Sequence, residues 1–221
     1  MILESAAVGP FFKNGYIIGC ERTRQAVFID PGDEVRELLS FVEAERLQIT
    51  HILLTHAHVD HVSGVAEAKR RLGAPIYMHR DDQVIYDNAV RTGLMFGLTV
   101  EQPPPVDHYY DGEGPIVFGD YEFRVKHTPG HCPGNVCLAL TKTGESASPD
   151  LFVGDTLFAG SIGRTDLPGG NYDVLMQAIT GVLLAYPDDC VVYSGHGPET
   201  TIGRERATNP FVLEYLNARR R

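Results

Sequence analysis

The sequence predicts an α/β fold in which two sheets pack together with helices on the outside. Three observations carry this reading. Short apolar runs closed by turn residues recur along the 221 residues, as strands do. Between them lie segments whose apolar residues repeat at helical spacing. The length also allows a sizeable core, so residues 1–221 are expected to form a single sandwich-type domain.

The elements follow in order. Residues 16–19 and 26–30 read as strands, the second ended by Pro31-Gly32. Asp33 is placed to cap the next segment, and Val35, Leu38, Leu39 and Val42 then recur on one helical face, predicting a helix over 34–46. Residues 49–54 form an apolar strand, 62–72 a helix stopped by Gly73, and 75–78 another strand. Residues 80–90 read as helical. Pro103-Pro104-Pro105 excludes helix from the loop that follows. Strands are expected at 116–118, 121–126, 136–141 and 151–153, with a Ser-, Gly- and Pro-containing loop over 141–150. A helix over 172–185, a short strand at 191–193 and a helical tail through Leu216 complete the chain.

Composition excludes several classes of function. Hydrophobic residues make up 43% and charged residues 22%, a globular balance. The formal net charge of -10 argues against binding of nucleic acid, which relies on Lys and Arg. The basic run Arg219-Arg220-Arg221 reads as a solvated terminus. No apolar run approaches the roughly 20 residues needed to span a membrane. The first twelve residues lack the basic and apolar regions of a secretory signal, so a cytoplasmic location is expected, with no membrane partner. Cys20, Cys132, Cys137 and Cys190 contain no Cys-x-x-Cys pair and read as thiols in a reducing compartment. Cys132, next to His131, is expected to be a small half-buried residue of the site wall.

The strongest chemical signal is Thr55-His56-Ala57-His58-Val59-Asp60-His61, directly after the apolar strand. His56, His58, Asp60 and His61 place four metal-ligand side chains within six residues, of types suited to zinc and neighbouring metals. Solvated loops instead favour Ser, Asn and Gly. Three further candidates also follow predicted strands: His131, Asp155 and His196. A glycine immediately precedes each (Gly130, Gly154, Gly195), allowing a sharp turn at a crowded centre. Seven ligands from four strand ends would build an open site on a rigid scaffold.

This set of residues resembles the metallo-beta-lactamase-fold hydrolases over nearly the whole chain. The resemblance implies a four-layer αββα sandwich with the site at one edge. It also implies that His56, His58 and His131 hold one metal, that Asp60, His61 and His196 hold the other, and that Asp155 bridges both. The cofactor expected is two divalent metal ions, Zn²⁺ foremost, with Fe or Mn also accepted by such ligands. The segments Gly154-Asp155-Thr156-Leu157-Phe158 and Gly195-His196-Gly197-Pro198-Glu199-Thr200-Thr201 are similar to glyoxalase II enzymes of the short bacterial type, which hydrolyse thioesters of glutathione such as S-lactoylglutathione. Longer members carry a tyrosine where Pro198 stands and a Lys and Tyr where Arg164 and Asp166 stand, leaving open whether glutathione or another thiol carrier is recognised.

Two neighbouring cations would hold a bridging water and lower its pKa toward about 7, making hydroxide the nucleophile. Asp60 is the expected catalytic residue, orienting it. A thiol leaves with a pKa of about 8.5 and needs no proton donor, which favours a small-molecule thioester as substrate. Arg164 and Tyr172 are the expected substrate-binding residues, in and after the loop 160–170. His51, His79, His108 and His127 fall outside the pattern. Two other activities of this fold stay open. Persulfide dioxygenases, which use a single iron and O₂, are similar at Gly163-Arg164-Thr165-Asp166; lactone hydrolysis is the other. Oligomeric state is not readable from the sequence.

Overall fold

The computed structural model describes residues 1–110 and 114–219. Arg220 and Arg221 of the basic run lie outside the described residues; Arg219 stacks over the Tyr215 ring at 4.4 Å. The chain divides into two compact units, Met1–Glu122 and Phe123–Arg221.

The first unit opens with β1 (Ile2–Val8), β2 (Lys13–Gly19) and β3 (Gln25–Ile29), antiparallel neighbours in sequence order. Helix α1 (Val35–Ala44) follows and buries Val35, Leu38, Leu39 and Val42, the face that the spacing predicts. Asp33 does not cap it: α1 has no side-chain cap, and Asp33 instead accepts a hydrogen bond from Ser63 Oγ at 3.1 Å. β4 (Gln48–Leu53) then pairs parallel to β3.

The helix expected over 62–72 is two helices, α2 (Val59–Val62) and α3 (Val65–Leu72), the latter ended by left-handed Gly73. The break has a tertiary cause. Gly64 donates to the Pro31 carbonyl at 2.9 Å, and a side chain there would overlap the Gly32 carbonyl. β5 (Ile76–Met78), a 3-10 turn (Arg80–Asp82), α4 (Gln83–Asp87), α5 (Ala89–Met95) and β6 (His108–Tyr109) complete the order β1–β2–β3–β4–β5–β6. Phe28, Leu38, Ile52, Val62 and Ile76 belong to this unit's core.

β7 (Ile116–Phe118) and β8 (Tyr121–His127) carry the chain into the second unit. That unit adds β9 (Val136–Lys142), β10 (Asp150–Gly154), the short hairpin β11 (Leu157–Phe158) and β12 (Ser161–Ile162), and α6 (Tyr172–Gly181). β13 (Val191–Ser194), β14 (Thr200–Thr201), α7 (Ile202–Thr208) and α8 (Pro210–Ala218) follow. Its sheet runs β14–β13–β10–β9–β8, with β10 and β13 parallel. Leu151, Val153, Leu175, Ile179 and Val192 form a separate core. The four cysteines are buried and in no disulfide; Cys132 is fully rather than half buried. No helix among the described residues is long and apolar enough to cross a membrane.

A buried ion pair braces the first unit. Lys13 Nζ meets Glu34 Oε1 at 2.7 Å, with both side chains almost wholly shielded, and also donates to the Asp30 carbonyl. The same Glu34 oxygen accepts Gly32 N–H at 2.8 Å. Removing one partner strands a buried charge, at a cost of about 3–5 kcal/mol. Lys13→Met is therefore expected to lower the urea-unfolding free energy by that amount, and adding Glu34→Leu to recover part of it. A loss below about 1 kcal/mol for the single variant would show that the pair is dispensable.

Candidate functional site

Every candidate ligand follows a strand. The segment from His56 to His61 leaves the end of β4, and α2 begins at Val59 with His58 as its N-cap residue in an extended conformation. Within the first unit His56, His58, Asp60 and His61 lie together. The His56 ring centroid is 4.9 Å from that of His58 and 3.9 Å from that of His61, and His61 Nε2 is 3.8 Å from Asp60 Oδ2. His56 and His61 are fully buried.

Two of these imidazoles are held in a definite orientation. His61 Nδ1 is 2.9 Å from Asp30 Oδ2. The same carboxyl accepts Thr55 N–H at 2.7 Å and Thr55 Oγ–H at 2.6 Å. The Thr55 hydroxyl has one proton and gives it to Asp30, so at 3.2 Å it accepts from His56 Nδ1–H. Both rings thereby carry their lone pair on Nε2, the arrangement by which an outer hydrogen bond fixes a metal-binding histidine. Asp82 adds a further brace, its buried Oδ2 accepting Ala57 N–H at 2.9 Å.

The second unit brings His131, Asp155 and His196 together. Asp155 Oδ2 lies 3.5 Å from Nε2 of His131 and 3.5 Å from Nε2 of His196. His131 Nδ1 donates to the Arg164 carbonyl at 2.8 Å, again leaving the lone pair on Nε2. Gly130 (φ 126) and Gly154 (φ 52), directly before two of the ligands, occupy the left-handed region as the sequence suggests. A side chain at Gly130 would overlap the Leu175 backbone. Before His196 the positive φ falls instead on the following residue, Gly197. Gly195 N–H joins the Gly154 carbonyl at 2.8 Å, tying the two ligand turns to each other, and Phe158 packs edge-on to the His196 ring at 6.0 Å.

The donor chemistry fits divalent metal. Separations of 3.5 Å are longer than the 2.7–3.2 Å of an ordinary N–H···O bond. They are close to the spacing of about 3.3 Å between two donors that each stand about 2.0–2.1 Å from a tetrahedral zinc. His Nε2 and carboxylate oxygen are ligands for zinc, iron and manganese alike.

Outside these groups, Arg164 is exposed and its guanidinium is already engaged. Nε and Nη2 each meet a different oxygen of Asp166 at 2.7 Å. That pairing holds the Asp166 carboxyl down at about 2 and raises Arg164. Tyr172, the first residue of α6, is exposed and packs edge-on to Tyr215 at 6.5 Å. His127 ends β8 and bonds the Pro133 carbonyl at 2.8 Å. Asp30, Thr55 and Asp82 are the supporting residues that sequence reasoning passes over. The only sequence signal for Asp30 is an acid at the end of an apolar strand before Pro-Gly.

Residues 8–196 match the family model described as the metallo-beta-lactamase superfamily. The chain belongs to the metallo-beta-lactamase superfamily. It is a metal-dependent hydrolase of that superfamily and has its mixed α/β fold, with two main sheets flanked by helices. It is 35% identical to a Haemophilus influenzae protein named hydroxyacylglutathione hydrolase GloC, over 96% of this chain and 98% of that protein. Among solved structures, the BLEG-1 B3 metallo-beta-lactamase is 35% identical with a TM-score of 0.86, covering 96% of this chain and 99% of that one. TTHA1623, solved in a di-iron-bound form, is 39% identical with a TM-score of 0.82, covering 94% and 99%.

Asp30→Asn tests the supporting role. The amide cannot accept from His61 Nδ1–H and from both Thr55 donors at once, so the His61 ring loses its fixed tautomer. Metal affinity, read by competition with a chelator, is expected to fall about 10–100-fold with the circular dichroism unchanged. Wild-type affinity in this variant would remove Asp30 from that role.

Proposed function

We propose that the two units act as one domain and that their seven ligand side chains hold a single pair of divalent cations, with Zn²⁺ foremost, for hydrolysis of a thioester. His56, His58 and His131 would bind one ion, Asp60, His61 and His196 the other, and Asp155 both. The observation that carries this is Asp155 Oδ2, equally spaced at 3.5 Å from two histidine Nε2 atoms. The oriented Nε2 atoms of His56 and His61 support it.

Bound divalent metal supplies Lewis acidity and lowers the pKa of coordinated water. The chain's own residues do the rest. Asp60, partly exposed at the start of α2, orients the attacking water through its carboxyl oxygen. The buried imidazoles exclude bulk water around it. A thiolate, with a thiol pKa of about 8.5, departs without a proton donor, whereas an amide nitrogen would need one. The GloC relative, named for hydroxyacylglutathione, supports a thioester such as S-lactoylglutathione. Arg164 would meet a substrate carboxylate by exchanging it for Asp166. Exposed pairs of this kind contribute little, so the exchange is feasible. Tyr172 would form part of the same wall. The protein would act in the cytoplasm.

The di-iron form of TTHA1623 keeps iron in play, and with it the dioxygenase reading. Metal analysis of protein purified without added metal, run beside assays of thioester hydrolysis and oxygen uptake, separates the two. Two zinc ions per chain with thioester turnover are expected. One iron with O₂ consumption would replace the hydrolase reading. His58→Ala is expected to cut thioester turnover at least a hundredfold with the fold intact, and near-normal turnover would refute the ligand assignment.

A further inference from the structure

Glu205 in α7 is fully buried, and among the described residues no Lys, Arg or His pairs with it. A buried carboxyl group is usually matched by a cation, so this one needs another reason to be there. Its hydrogen bonds supply one. Oε2 accepts Gly160 N–H and an Asn209 Nδ2 proton, each at 2.8 Å, and Oε1 accepts the Thr200 hydroxyl at 2.6 Å. The buried Asn209 amide has a fixed orientation, because its Oδ1 accepts the N–H groups of Phe211 and Val212. Nδ2 is thereby free to donate to Glu205, and it also donates to the Ser161 carbonyl at 3.0 Å. Two buried side chains thus grip the turn of the β11–β12 hairpin at Gly160 and Ser161.

That hairpin and the two residues after it reach every candidate ligand of the second unit. Phe158 packs edge-on to the His196 ring at 6.0 Å. A side-chain carbon at Gly163 would overlap the Asp155 carbonyl and lie 3.2 Å from His131 Nδ1. The Arg164 carbonyl accepts from that same Nδ1 at 2.8 Å. At the base of the hairpin, Ser194 Oγ–H donates to the Leu157 carbonyl at 2.8 Å, two residues before His196. Thr200, bonded to Glu205, follows His196 by four residues. A hairpin with two-residue strands has little stiffness of its own, so its place is set by what holds its ends. Ser194 holds the base; Glu205 and Asn209 hold the turn.

We propose that Glu205 is a positioning residue for metal binding: through the hairpin and Thr200 it fixes His131, Asp155 and His196 in the geometry that receives a divalent cation. Its carboxyl bonds to none of the three and acts only through what it holds. The inference rests on the ligand assignment proposed above and is independent of the substrate. The chemistry of the clamp separates it from the filling of a core. An apolar side chain would occupy the same space but leave Gly160 N–H, the Asn209 amide and the Thr200 hydroxyl without their acceptor. A glutamine keeps all three bonds. Its oxygen accepts from Gly160 and Asn209, and its NH₂ donates to the Thr200 hydroxyl, which can accept as well as donate.

Zn²⁺ affinity of the full chain, read by competition with a chromophoric chelator, tests this without turnover. Glu205→Leu is expected to bind Zn²⁺ about tenfold more weakly than wild type, the lower end of the loss that follows removal of a ligand-orienting partner. Glu205→Gln should stay within about twofold, and Thr200→Val, which removes one arm of the clamp, should lose about threefold. In the Co²⁺-loaded proteins the visible ligand-field bands should shift in Glu205→Leu and hold in Glu205→Gln. Leu140→Ala is the control, a buried truncation at the end of β9 that pairs with Asp150, five residues before Asp155. It should lower the unfolding temperature and leave Zn²⁺ affinity unchanged. Wild-type affinity in Glu205→Leu, or an equal loss in Leu140→Ala, would overturn the proposal. Should Glu205→Leu not fold, wild-type affinity in Thr200→Val would overturn it instead. His196→Ala checks the ligand assignment separately: undiminished Zn²⁺ binding there removes the assignment and this proposal with it, whereas a normal loss beside an unaffected Glu205→Leu removes the positioning role alone.

Discussion

The first unit depends on what one carboxyl group does. Asp30 takes three hydrogen bonds, from His61 Nδ1, Thr55 N–H and Thr55 Oγ–H, and through the threonine it also sets the His56 ring. An imidazole with either nitrogen available would be a poor ligand, because the wrong tautomer presents a proton to the cation. Asp30 itself lies in the left-handed region at φ 51, a conformation that costs free energy for any residue with a Cβ. Three bonds to one buried side chain offset that cost, and the Lys13 ammonium on the Asp30 carbonyl holds the backbone there. The second unit solves the same problem with main chain, since the Arg164 carbonyl fixes His131.

Precision in such a site comes from where the ligands are anchored. β4, β10 and β13 each end on buried residues, and the turns that leave them carry the candidate ligands His56 to His61, Asp155 and His196. A side chain held shortly after a close-packed strand has little room to drift, because the strand cannot shift without opening a core. The turns are tightened by contacts only glycine permits. At Gly130 the Leu175 backbone fills the space of a Cβ, and at Gly163 the Asp155 carbonyl does. These contacts make a histidine or aspartate at a strand end a rigid donor rather than a mobile loop residue.

The legibility of each part follows from this. Most strands and the ligand candidates are legible because both signals are local: an apolar run sets the strand, and His or Asp just past it sets the chemistry. β1 has no such local signal, because its neighbour β2 specifies it through seven paired residues that the sequence of β1 does not announce. β11, β12 and β14 are two residues long and have no periodicity to read. The sequence over 62–72 has the pattern of one continuous helix because the cause of its break, the approach of Gly64 to Gly32, lies 32 positions away along the chain. The role of Asp30 is hidden in the sequence for a similar reason. Its value arises only when β3 and β4 lie side by side, which brings Thr55 and His61 to it. Arg164 could be named from sequence as a carboxylate partner, but not that Asp166 already occupies its fork.

That last pairing bears on the substrate role proposed for Arg164. A carrier such as glutathione brings carboxylates to a chain with a formal charge of -10, where long-range attraction is absent. For Arg164 to bind one it would first have to release Asp166, whose carboxyl is held down at about 2 by that same guanidinium and would lose this stabilisation on release. Substituting one carboxylate for another on the same guanidinium yields little net free energy. Charge recognition at Arg164 would therefore be close to balanced, and selectivity among carboxylate-bearing substrates could not rest on that guanidinium alone.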